Sequence, residues 1–598
     1  MRTSDETTAF LRSKSPATHE APGWIHARRL AWLIAAVLAC GNDGAPGSSM
    51  DRGRDASNAA ADVGTADATG LPDSEGSLEA RAPNDGPSPE GAAPAEGGTA
   101  RYDVVVYGAT AAGVVAAVAA AREGAKVILL EPGRHVGGMV SGGLGWTDFG
   151  NKAVIGGLSL DFFQRVGKKY NTTIAWTFEP HVAESVLQEM LAEATNIEVR
   201  FGERLREGTG VNQSGTRIGA LHTEGGAIYE GRVFVDASYE GDLMAQAKVS
   251  YTWGREGTTE YGESLAGVRA TTPKNQFTVD VSPYDVGQTL LPLVQPGPKA
   301  PPGTADKKVQ AYNFRLCLTD TAANRLPFPR PAGYDPKRYT LVARLIEALT
   351  AKNGAPPKLA DLVKVDRIPN GKTDINNTGA VSTDYIGASW DYPEADYAAR
   401  QAIWRDHLAY TQGYFYFLAN DPQVPSSLRT EVAKWGPSMD EFVDTDHWPH
   451  QLYIREARRM IGEYVMTQKD IQTATTKIDS MGMGSYNSDS HNVQRIPTSA
   501  GLVENEGDMQ VPVQPYQIPF RLVLPRRAET TNLLVPVAFS ATHVTYSTLR
   551  MEPQYMIIGH ATGVAAKMAI DAATDVQLVD VPTLQAKLKA QNAVLALP

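Results

Sequence analysis

Residues 102–132 read YDVVVYGATAAGVVAAVAAAREGAKVILLEP, and this stretch decides the fold. The β-branched run that ends at Tyr107 predicts a buried parallel strand, and KVILLE predicts the next strand. Between them, an alanine-rich segment from Gly113 to Gly124 predicts a helix. Gly108 permits a tight turn after the first strand, and Gly113 permits close packing of the helix on the strand. The stretch therefore predicts the βαβ unit that opens a Rossmann-like α/β domain.

The turn between the first strand and the helix has the spacing of a dinucleotide-binding site. Glu131 ends the second strand, where a ribose hydroxyl would lie, and the helix N-terminus is a ready anion site. Thr110 stands where such turns usually carry a second glycine, so its side chain must either point away from a pyrophosphate or hydrogen-bond to it. The alternative is an ordinary βαβ turn without a ligand, with Glu131 as a solvated strand-end acid. Because strand, helix, acid and spacing agree, we expect a nucleotide to bind here.

Residues 133–150, GRHVGGMVSGGLGWTDFG, are dense in glycine. Such a loop predicts that the backbone passes close to a large flat group, and a flavin ring system is such a group. The alternative is a loop that is merely flexible. Further on, the strand 232–236 stands before a small-residue turn and a helix, which predicts a second connection to the same sheet. These features favour FAD over NAD.

The chain is expected to return to this sheet late, through TNLLVPVAFS and the helix PQYMIIGHATGVAAKMAIDAA. Residues 101–250 and 491–598 would then form a discontinuous Rossmann-like FAD-binding domain. Residues 251–490, rich in Tyr, Trp, Pro and Asp, carry amphipathic patterns at RYTLVARLIEALTAKNG and LYIREARRMIGEYVMTQKDI that predict helices. We expect this large inserted α+β part to cap the flavin and to form the substrate pocket.

Seven motifs carry a resemblance to a known family. They are VVVYGATAAGV, EPGRHVGGMVSGGLGWTD, WTFEPHVAESVLQEML, VFVDASYEGDLM, LYIREARRMIGEYVMTQKD, GSYNSDSHNVQR and ATHVTYSTLRMEPQYMIIGHATGVAA, and they span residues 102–571. In these motifs the chain resembles the bacterial FAD-dependent oxidoreductases related to the flavin-binding component of heterodisulfide reductase, which have a glutathione-reductase-like FAD domain. The resemblance implies FAD and leaves the substrate open. Electron-transfer relatives carry iron–sulfur cysteines, whereas this chain has 2 cysteines, so no iron–sulfur cluster is expected.

The glycine framework and the resemblance together predict which residues contact FAD. These are Gly108, Ala109, Thr110, Ala111, Ala112, Gly113, Glu131, Pro132, Arg134, Gly137, Gly138, Met139, Gly142, Gly143, Asp236, Ser238, Arg550 and Met551. They cover the phosphate turn, the ribose, the glycine-rich loop, the end of the later strand and a helix end in the final segment. No metal site is predicted.

Flavin chemistry needs a donor C–H aimed at the flavin and a base for the accompanying proton, and histidine suits that role near neutral pH. His491 and His543 lie in polar loops of the motifs, between the inserted part and the final FAD segment. We expect both to contact substrate or flavin, with His491 as the base. The alternative is that each bonds backbone in a tight loop. Asn492 and Arg495 are candidates for orienting the substrate, and Tyr486 is a further pocket candidate.

The first hundred residues are expected to lie outside the fold. Residues 1–40 end in the apolar run LAWLIAAVLA and Cys40, which is typical of a bacterial lipoprotein signal whose cysteine is lipidated. The alternatives are an ordinary signal peptide or an uncleaved anchor. Residues 41–100 form an acidic tether rich in Gly, Ala, Pro and Asp, too polar to fold. This arrangement predicts an exported protein, periplasmic or at the cell surface, held at a membrane through Cys40.

Composition limits the partners. The net charge of -11 is diffuse and the chain has no long basic run, so a nucleic-acid partner is not expected. If Cys40 is acylated, Cys317 is the one cysteine left, and neither an intramolecular disulfide nor a cysteine-ligated metal can form. A small-molecule substrate and an unknown electron acceptor are the expected partners.

Two classes of function remain open from the sequence. The first is an FAD-dependent dehydrogenase or oxidase that takes a hydride from an alcohol or amine carbon of a small hydrophilic substrate, for example a sugar. The second is a flavin-dependent lyase or isomerase of carbohydrate-like substrates that performs no net oxidation. A non-enzymatic binding protein with a relict fold is disfavoured, because the glycine framework is intact.

Overall fold

The computed structural model describes residues 99–598. Its strands are β1 (Thr99–Tyr107), β2 (Val127–Glu131), β3 (Ile197–Phe201), β4 (Val211–Ser214), β5 (Arg217–His222), β6 (Ile228–Asp236), β7 (Tyr251–Thr252), β8 (Leu318–Thr319), β9 (Val363–Ile368), β10 (Lys372–Asn377), β11 (Gly436–Pro437), β12 (Arg459–Met460), β13 (Ser480–Gly484), β14 (Ser488–Ser490), β15 (Gln494–Pro497), β16 (Val503–Glu506), β17 (Met509–Val511), β18 (Tyr516–Pro519) and β19 (Leu533–Leu534). Its helices are α1 (Ala111–Arg122), α2 (Gly157–Lys169), α3 (Pro180–Ala192), α4 (Asp242–Gln246), α5 (Thr258–Tyr261), α6 (Thr340–Asn353), α7 (Tyr397–Asn420), α8 (Ser426–Val432), α9 (Gln468–Gln472), α10 (His543–Leu549), α11 (Glu552–Asp571) and α12 (Val581–Ala590).

The βαβ unit forms where the sequence predicts it. Strands β1 and β2 run parallel, with Val104 opposite Val127, and α1 connects them. The helix begins after Thr110, whose side chain caps it, and the chain turns back at Gly124 with φ +93°. Every residue of α1 before its last is buried, because its alanines and valines let it pack on all sides. The Rossmann-like α/β class is therefore confirmed.

Seven strands make the main sheet, in the order β3-β2-β1-β6-β5-β4, with β19 also pairing with β6. The strands β3, β2, β1, β6 and β19 are parallel to their neighbours, and β4 and β5 are antiparallel additions. The pairing of Leu533 with Phe234 brings a late segment of the chain into a sheet whose other strands all lie within residues 99–236. The sheet is thus discontinuous in sequence.

Helix α11 packs against α1 through small residues. Gly559 and Gly563 face Ala112 and Ala116, and a side-chain carbon added at either glycine would lie closer than 3.0 Å to α1 backbone. Such close packing of two helices requires residues without side chains at the contact. It holds the N-terminus of α11 on the same side of the sheet as the turn that precedes α1.

The inserted part is α+β, as expected. Strands β11, β8, β10 and β9 form a second, antiparallel sheet, and α6 to α8 pack near it. Around residue 491 the chain forms the pair β14–β17, whose strands lie before and after that residue, and within it the hairpin β15–β16, before it rejoins the main sheet at β19. The domain boundaries at residues 250 and 490 stay predictions. The chain passes residue 490 well before it rejoins the main sheet at β19.

One predicted helix is wrong. The pattern in LYIREARRMIGEYVMTQKDI (residues 452–471) has helical spacing, yet most of this segment is extended and includes β12, and helix α9 begins only at Gln468. The reason is tertiary: Arg455, Glu456 and Arg459 are buried and pair with side chains of distant segments. Those pairings override the local preference for helix.

The predicted signal segment and nearly all of the predicted tether lie outside the described residues, and Cys40 is among them. Within residues 99–598, no helix combines the length and the apolar character needed to cross a membrane.

Candidate active site and cofactor cavity

The turn between β1 and α1 is built around two glycines. Gly108 has φ +94°, and a side-chain carbon there would lie 2.8 Å from the backbone nitrogen of Ser238. Gly113 faces the Gly108 carbonyl oxygen and has no room for a side chain. The Thr110 hydroxyl donates to the Ala237 carbonyl at 2.8 Å and accepts from the Gly113 N–H at 3.2 Å. The threonine side chain therefore points away from the ligand side, the first of the two alternatives, and leaves the α1 N-terminus open to an anion.

A cavity of about 230 Å³ opens beside this turn. The predicted cofactor residues in its wall are Gly108, Thr110, Glu131, Pro132, Arg134, Gly138 and Ser238. The predicted residues outside its wall are Ala109, Ala111, Ala112, Gly113, Gly137, Met139, Gly142, Gly143, Asp236, Arg550 and Met551. Side chains of the inserted part complete the wall, so this part lies directly against the cofactor cavity.

Glu131 lies over the turn at the end of β2. Its carboxylate oxygens accept from the Ala109 and Gly133 N–H groups, each at 2.7 Å. Burial raises the pKa of Glu131 to about 7. A carboxyl group that is half protonated near neutral pH can both accept from and donate to a ribose hydroxyl, so its place in the cavity wall suits the predicted role.

Asp236 ends β6 and Ser238 follows it, and the two side chains have different environments. Asp236 is fully buried, and its oxygens accept from the Ser238 N–H and hydroxyl and from the Met244 N–H. These bonds use the carboxylate to hold the turn, below the cavity wall. Ser238 itself reaches the wall. Asp236 thus supports the turn that carries Ser238.

The glycine-rich loop packs against protein as well as against the cavity. A side chain at Gly143 would collide with the Arg315 carbonyl, and one at Gly142 would collide with Gln451. Both partners belong to the inserted part. The density of glycine at these two positions is therefore explained by close contact with the insert, whereas Gly138 lies in the cavity wall.

Arg550 and Met551 connect α10 to α11. Arg550 Nη2 donates to the Asp489 carbonyl at 2.7 Å, and its buried Nε has no partner among residues 99–598. Glu552 begins α11; burial raises its pKa to about 8, and the Tyr239 hydroxyl donates to it at 2.8 Å. The Oε2 atom of Glu552 is also buried without a partner in the described residues. The start of α11 therefore presents unsatisfied polar atoms that a ligand or water would complete.

His491 forms a buried dyad with an acid of the inserted part. Its Nδ1 lies 2.7 Å from Asp384 Oδ2, and its side chain keeps 11% exposure. The other oxygen of Asp384 lies 3.0 Å from Arg455 Nη2. Burial and then the charge of Arg455 lower the pKa of His491 below its ordinary value, so the imidazole is neutral near pH 7. With Nδ1–H donating to Asp384, the Nε2 lone pair is available as a base.

His543 forms a second dyad that is linked to the first. Its Nδ1 lies 2.7 Å from Glu456 Oε2, which also accepts from Gln310 Nε2 at 2.9 Å. The Oε1 atom of the same Gln310 accepts from the His491 backbone N–H at 3.1 Å. The two predicted histidines are therefore held in one buried network by a glutamine of the inserted part.

The other three predicted catalytic residues differ in whether their polar atoms already have hydrogen-bond partners in the protein. Asn492 is buried, and its Nδ2 has no partner in the described chain. The Tyr486 hydroxyl donates to Asp148 at 3.0 Å. Arg495 donates to Asn505 Oδ1 and to two backbone carbonyls, so its guanidinium ties protein segments together and is not aimed at the histidines. Its part in orienting a substrate is not supported by this geometry.

Sequence reasoning missed the partners that complete the network. These are Gln310, Asp384, Tyr453, Arg455 and Glu456. The Arg455 guanidinium carbon lies 4.9 Å from the centre of the Tyr453 ring, and that of Arg315 lies 5.4 Å from the same centre. The motif LYIREARRMIGEYV contains three of the missed residues, but its helical spacing favoured a surface helix; Asp384 lies in no motif and gave no signal.

These residues fit FAD. The α1 N-terminus and Arg134 suit a pyrophosphate, Glu131 suits a ribose, and the side-chain-free turn at Gly108 lets backbone approach the phosphates. The orphaned polar atoms at the start of α11 suit the polar edge of a flavin.

The sequence matches the model of the family described as FAD dependent oxidoreductase over residues 103–588. The chain belongs to this family. It is an FAD-dependent oxidoreductase, and FAD is its cofactor, as the sequence predicts.

Similarity to solved structures is low in both sequence identity and TM-score. The p-nitrophenol 4-monooxygenase of Pseudomonas putida is 14% identical over 26% of this chain and 46% of its own, with a TM-score of 0.20. Thioredoxin reductase of T. acidophilum is 19% identical over 23% of this chain and 34% of its own, with a TM-score of 0.16. A variant of PqsL from P. aeruginosa is 10% identical over 83% of this chain and 94% of its own, with a TM-score of 0.30. The oxidoreductase thus covers less than half the length of the first two proteins, and no curated protein matches it in sequence.

Proposed function

We propose that this oxidoreductase oxidises an alcohol or amine carbon of a small hydrophilic substrate, for example a sugar, with His491 as the base. The observation that carries the proposal is the buried dyad in which Asp384 Oδ2 lies 2.7 Å from His491 Nδ1. Such a pairing fixes the tautomer and leaves Nε2 to take a proton. Dehydrogenase or oxidase is the resulting class.

The chain's own residues divide the work. Bound FAD supplies a two-electron acceptor for the hydride that leaves the substrate carbon. His491 Nε2 takes the proton from the substrate hydroxyl or amine. Burial raises the pKa of Asp384, but the charges of Arg455 and His491 outweigh it and hold that pKa below its ordinary value, so the carboxylate stays ionised and stabilises the imidazolium.

A polar atom beside the dyad favours a hydrophilic substrate. Asn492 Nδ2, in the residue next to His491, is buried and lacks a partner within residues 99–598. A substrate with several hydroxyl groups would satisfy such an atom, whereas an apolar one would leave it unpaired at a cost of about 1–3 kcal/mol. A buried polar atom without a partner therefore supports a hydrophilic class of substrate.

An anaerobic screen of sugars, amines and hydroxy acids tests the proposal, with flavin absorbance as the signal. A substrate of a dehydrogenase or oxidase bleaches the flavin without oxygen and to completion. His491→Gln should slow this bleaching by about 10²- to 10⁴-fold, the usual contribution of a positioned general base. The matched control is His222→Gln, which replaces a histidine at the end of β5, away from the dyad.

Two results would count against the proposal. Bleaching at the parental rate in His491→Gln would make His491 structural. Turnover of a carbohydrate-like substrate with no lasting bleach would favour the lyase or isomerase class instead.

We further propose that the enzyme works outside the cytoplasm, held at a membrane by an acylated Cys40, as a cluster-free relative of the heterodisulfide reductase flavin proteins. The support is the apolar run before Cys40, the polar tether after it and the shared motifs. Mass spectrometry of the mature N-terminus tests the anchor: an unmodified Cys40, or a chain that retains the residues before it, would refute it.

A further inference from the structure

We propose that α7 of the inserted part forms the adenosine subsite of the FAD cavity, with Tyr397 as the residue that selects FAD over FMN. This inference goes beyond the proposed oxidation, because it concerns only how the cofactor is held. It adds the adenosine end of the cofactor to the expected tasks of the insert, which are to cap the flavin and to form the substrate pocket.

The cavity has two walls from two parts of the chain. One wall consists of the phosphate turn and the strand ends, with Gly108, Glu131 and Ser238. The facing wall comes from the start of α7, with Tyr397 and Trp404. Since Glu131 marks the ribose end of a dinucleotide site, the aromatic wall lies at the end where adenosine belongs.

Tyr397 offers both a stacking surface and an unmet hydrogen bond. Its hydroxyl is buried beside the Tyr107 side chain and makes no hydrogen bond of normal geometry among residues 99–598. Its ring lies 4.5 Å from the Arg204 guanidinium carbon, so a planar cation already stacks on it. Aromatic and guanidinium planes are the surfaces on which proteins stack nucleic-acid bases. A buried hydroxyl in the wall of the cavity that also contains the phosphate turn points to a polar ligand such as adenosine.

The position of Tyr397 is fixed by backbone and ionic contacts. Asp396 caps α7, and the Tyr397 N–H donates to Glu207 on the FAD-binding side at 2.9 Å. Arg400 donates to both oxygens of Asp242 at 2.9 and 2.8 Å and to two backbone carbonyls. The wall is therefore pre-formed, and Arg400 clamps α7 to α4 through four of its five N–H donors.

The alternative hypothesis, that this wall binds the substrate, has less support than the adenosine subsite. The dyad residues His491 and Asp384 are absent from the cavity lining, whereas the phosphate turn is part of it. A substrate bound against Tyr397 would therefore lie beside the phosphate end of FAD and away from the proposed base.

Binding to the full-length apoprotein tests the inference with three probes: FAD, ADP and FMN. Tyr397→Ala should weaken both FAD and ADP by roughly ten- to hundred-fold, the usual loss of one base-stacking side chain, and should leave FMN unchanged because FMN lacks adenosine. Tyr397→Phe keeps the ring and removes the hydroxyl, so ADP should bind about three- to ten-fold more weakly. The matched control is Tyr416→Ala, which removes a tyrosine of α7 that packs on Tyr334.

Every outcome is decisive. ADP affinity that is unchanged in both Tyr397 variants would overturn the inference, as would an equal loss of FMN and FAD in Tyr397→Ala. If Tyr397→Ala does not fold, Tyr397→Phe decides through ADP alone. None of these measurements involves a substrate, so the inference and the proposed oxidation can fail separately.

Discussion

Replacing Gly108 by alanine should remove FAD while the protein still folds. Gly108 has φ +94°, where an L side chain is strained, and the added carbon would lie 2.8 Å from Ser238 nitrogen and 2.9 Å from the Ala237 carbonyl carbon. Ordinary contact begins at 3.4 Å, so backbone on one side of the turn must move by several tenths of an ångström. The obstacle is backbone, which cannot rotate out of the way as a side chain can.

Two costs add up at this position. A non-glycine residue in such a conformation costs about 1–3 kcal/mol, and forcing extra volume into packed structure costs about another 1–3 kcal/mol. A domain with a stability of roughly 5–15 kcal/mol survives that loss. The turn, however, relaxes by moving away from Ser238, and the phosphate site it shapes is lost with it.

Comparison of Gly108→Ala with Gly124→Ala isolates the second cost, that of the steric clash. Gly124 has φ +93° at the other end of α1, yet an added carbon there meets nothing within 4 Å. Both variants share the conformational strain, and only Gly108→Ala creates the clash. We expect Gly124→Ala to keep a full complement of flavin after gel filtration and Gly108→Ala to lose at least about 90% of it. The ratio of loaded to empty protein then falls by about 80-fold or more, equivalent to about 2.6 kcal/mol of binding free energy. Equal flavin content in the two variants would refute the reasoning.

The rate of flavin reduction by the true substrate should be constant above neutral pH and fall in acid with a midpoint below 6.5, because burial and the charge of Arg455 lower the pKa of His491; a midpoint above 6.5 would contradict this. Burial lowers the pKa of His407 to about 4, so its contribution to stability is complete above pH 6.5 and disappears as the pH falls through 4. His407→Gln should therefore flatten the acid dependence of the unfolding free energy by roughly 3 kcal/mol, as followed by denaturant titration, and parallel curves for the two proteins would be the negative result. Cys40→Ser should move the protein from the membrane to the soluble fraction of an expressing bacterium, unless the segment before it remains as an anchor.

The sequence predicts the cofactor side well because its information is local. The turn at Gly108, the cap at Thr110 and the acid at Glu131 fall within one βαβ unit, and each has a steric or electrostatic reason to be there. A resemblance through ordered motifs extended this to the later strands. The family and the cofactor could therefore be predicted before any coordinates.

The buried histidine network could be predicted only in part because its pairs are distant in sequence. His491 and Asp384 are 107 residues apart, and nothing near Asp384 marks it as a partner. The segment around Arg455 misled the prediction, since buried ionic pairs favour an extended path where spacing alone favours a helix. The two histidines were found because they stand in polar motifs; the acids that make them useful were not.

Because β19 pairs with β6 and α11 packs on α1, the FAD-binding fold is complete only after a late segment of the chain has been synthesised. The ribosome delivers the phosphate turn long before residues 533–571, which complete the sheet and bring in the α11 N-terminus. Until these residues are made, a nascent chain has the phosphate turn without the strand and the helix that complete the fold around it. For a chain exported as proposed, the secretion machinery must then either carry a finished, flavin-filled body or deliver an empty one to a compartment where FAD is waiting.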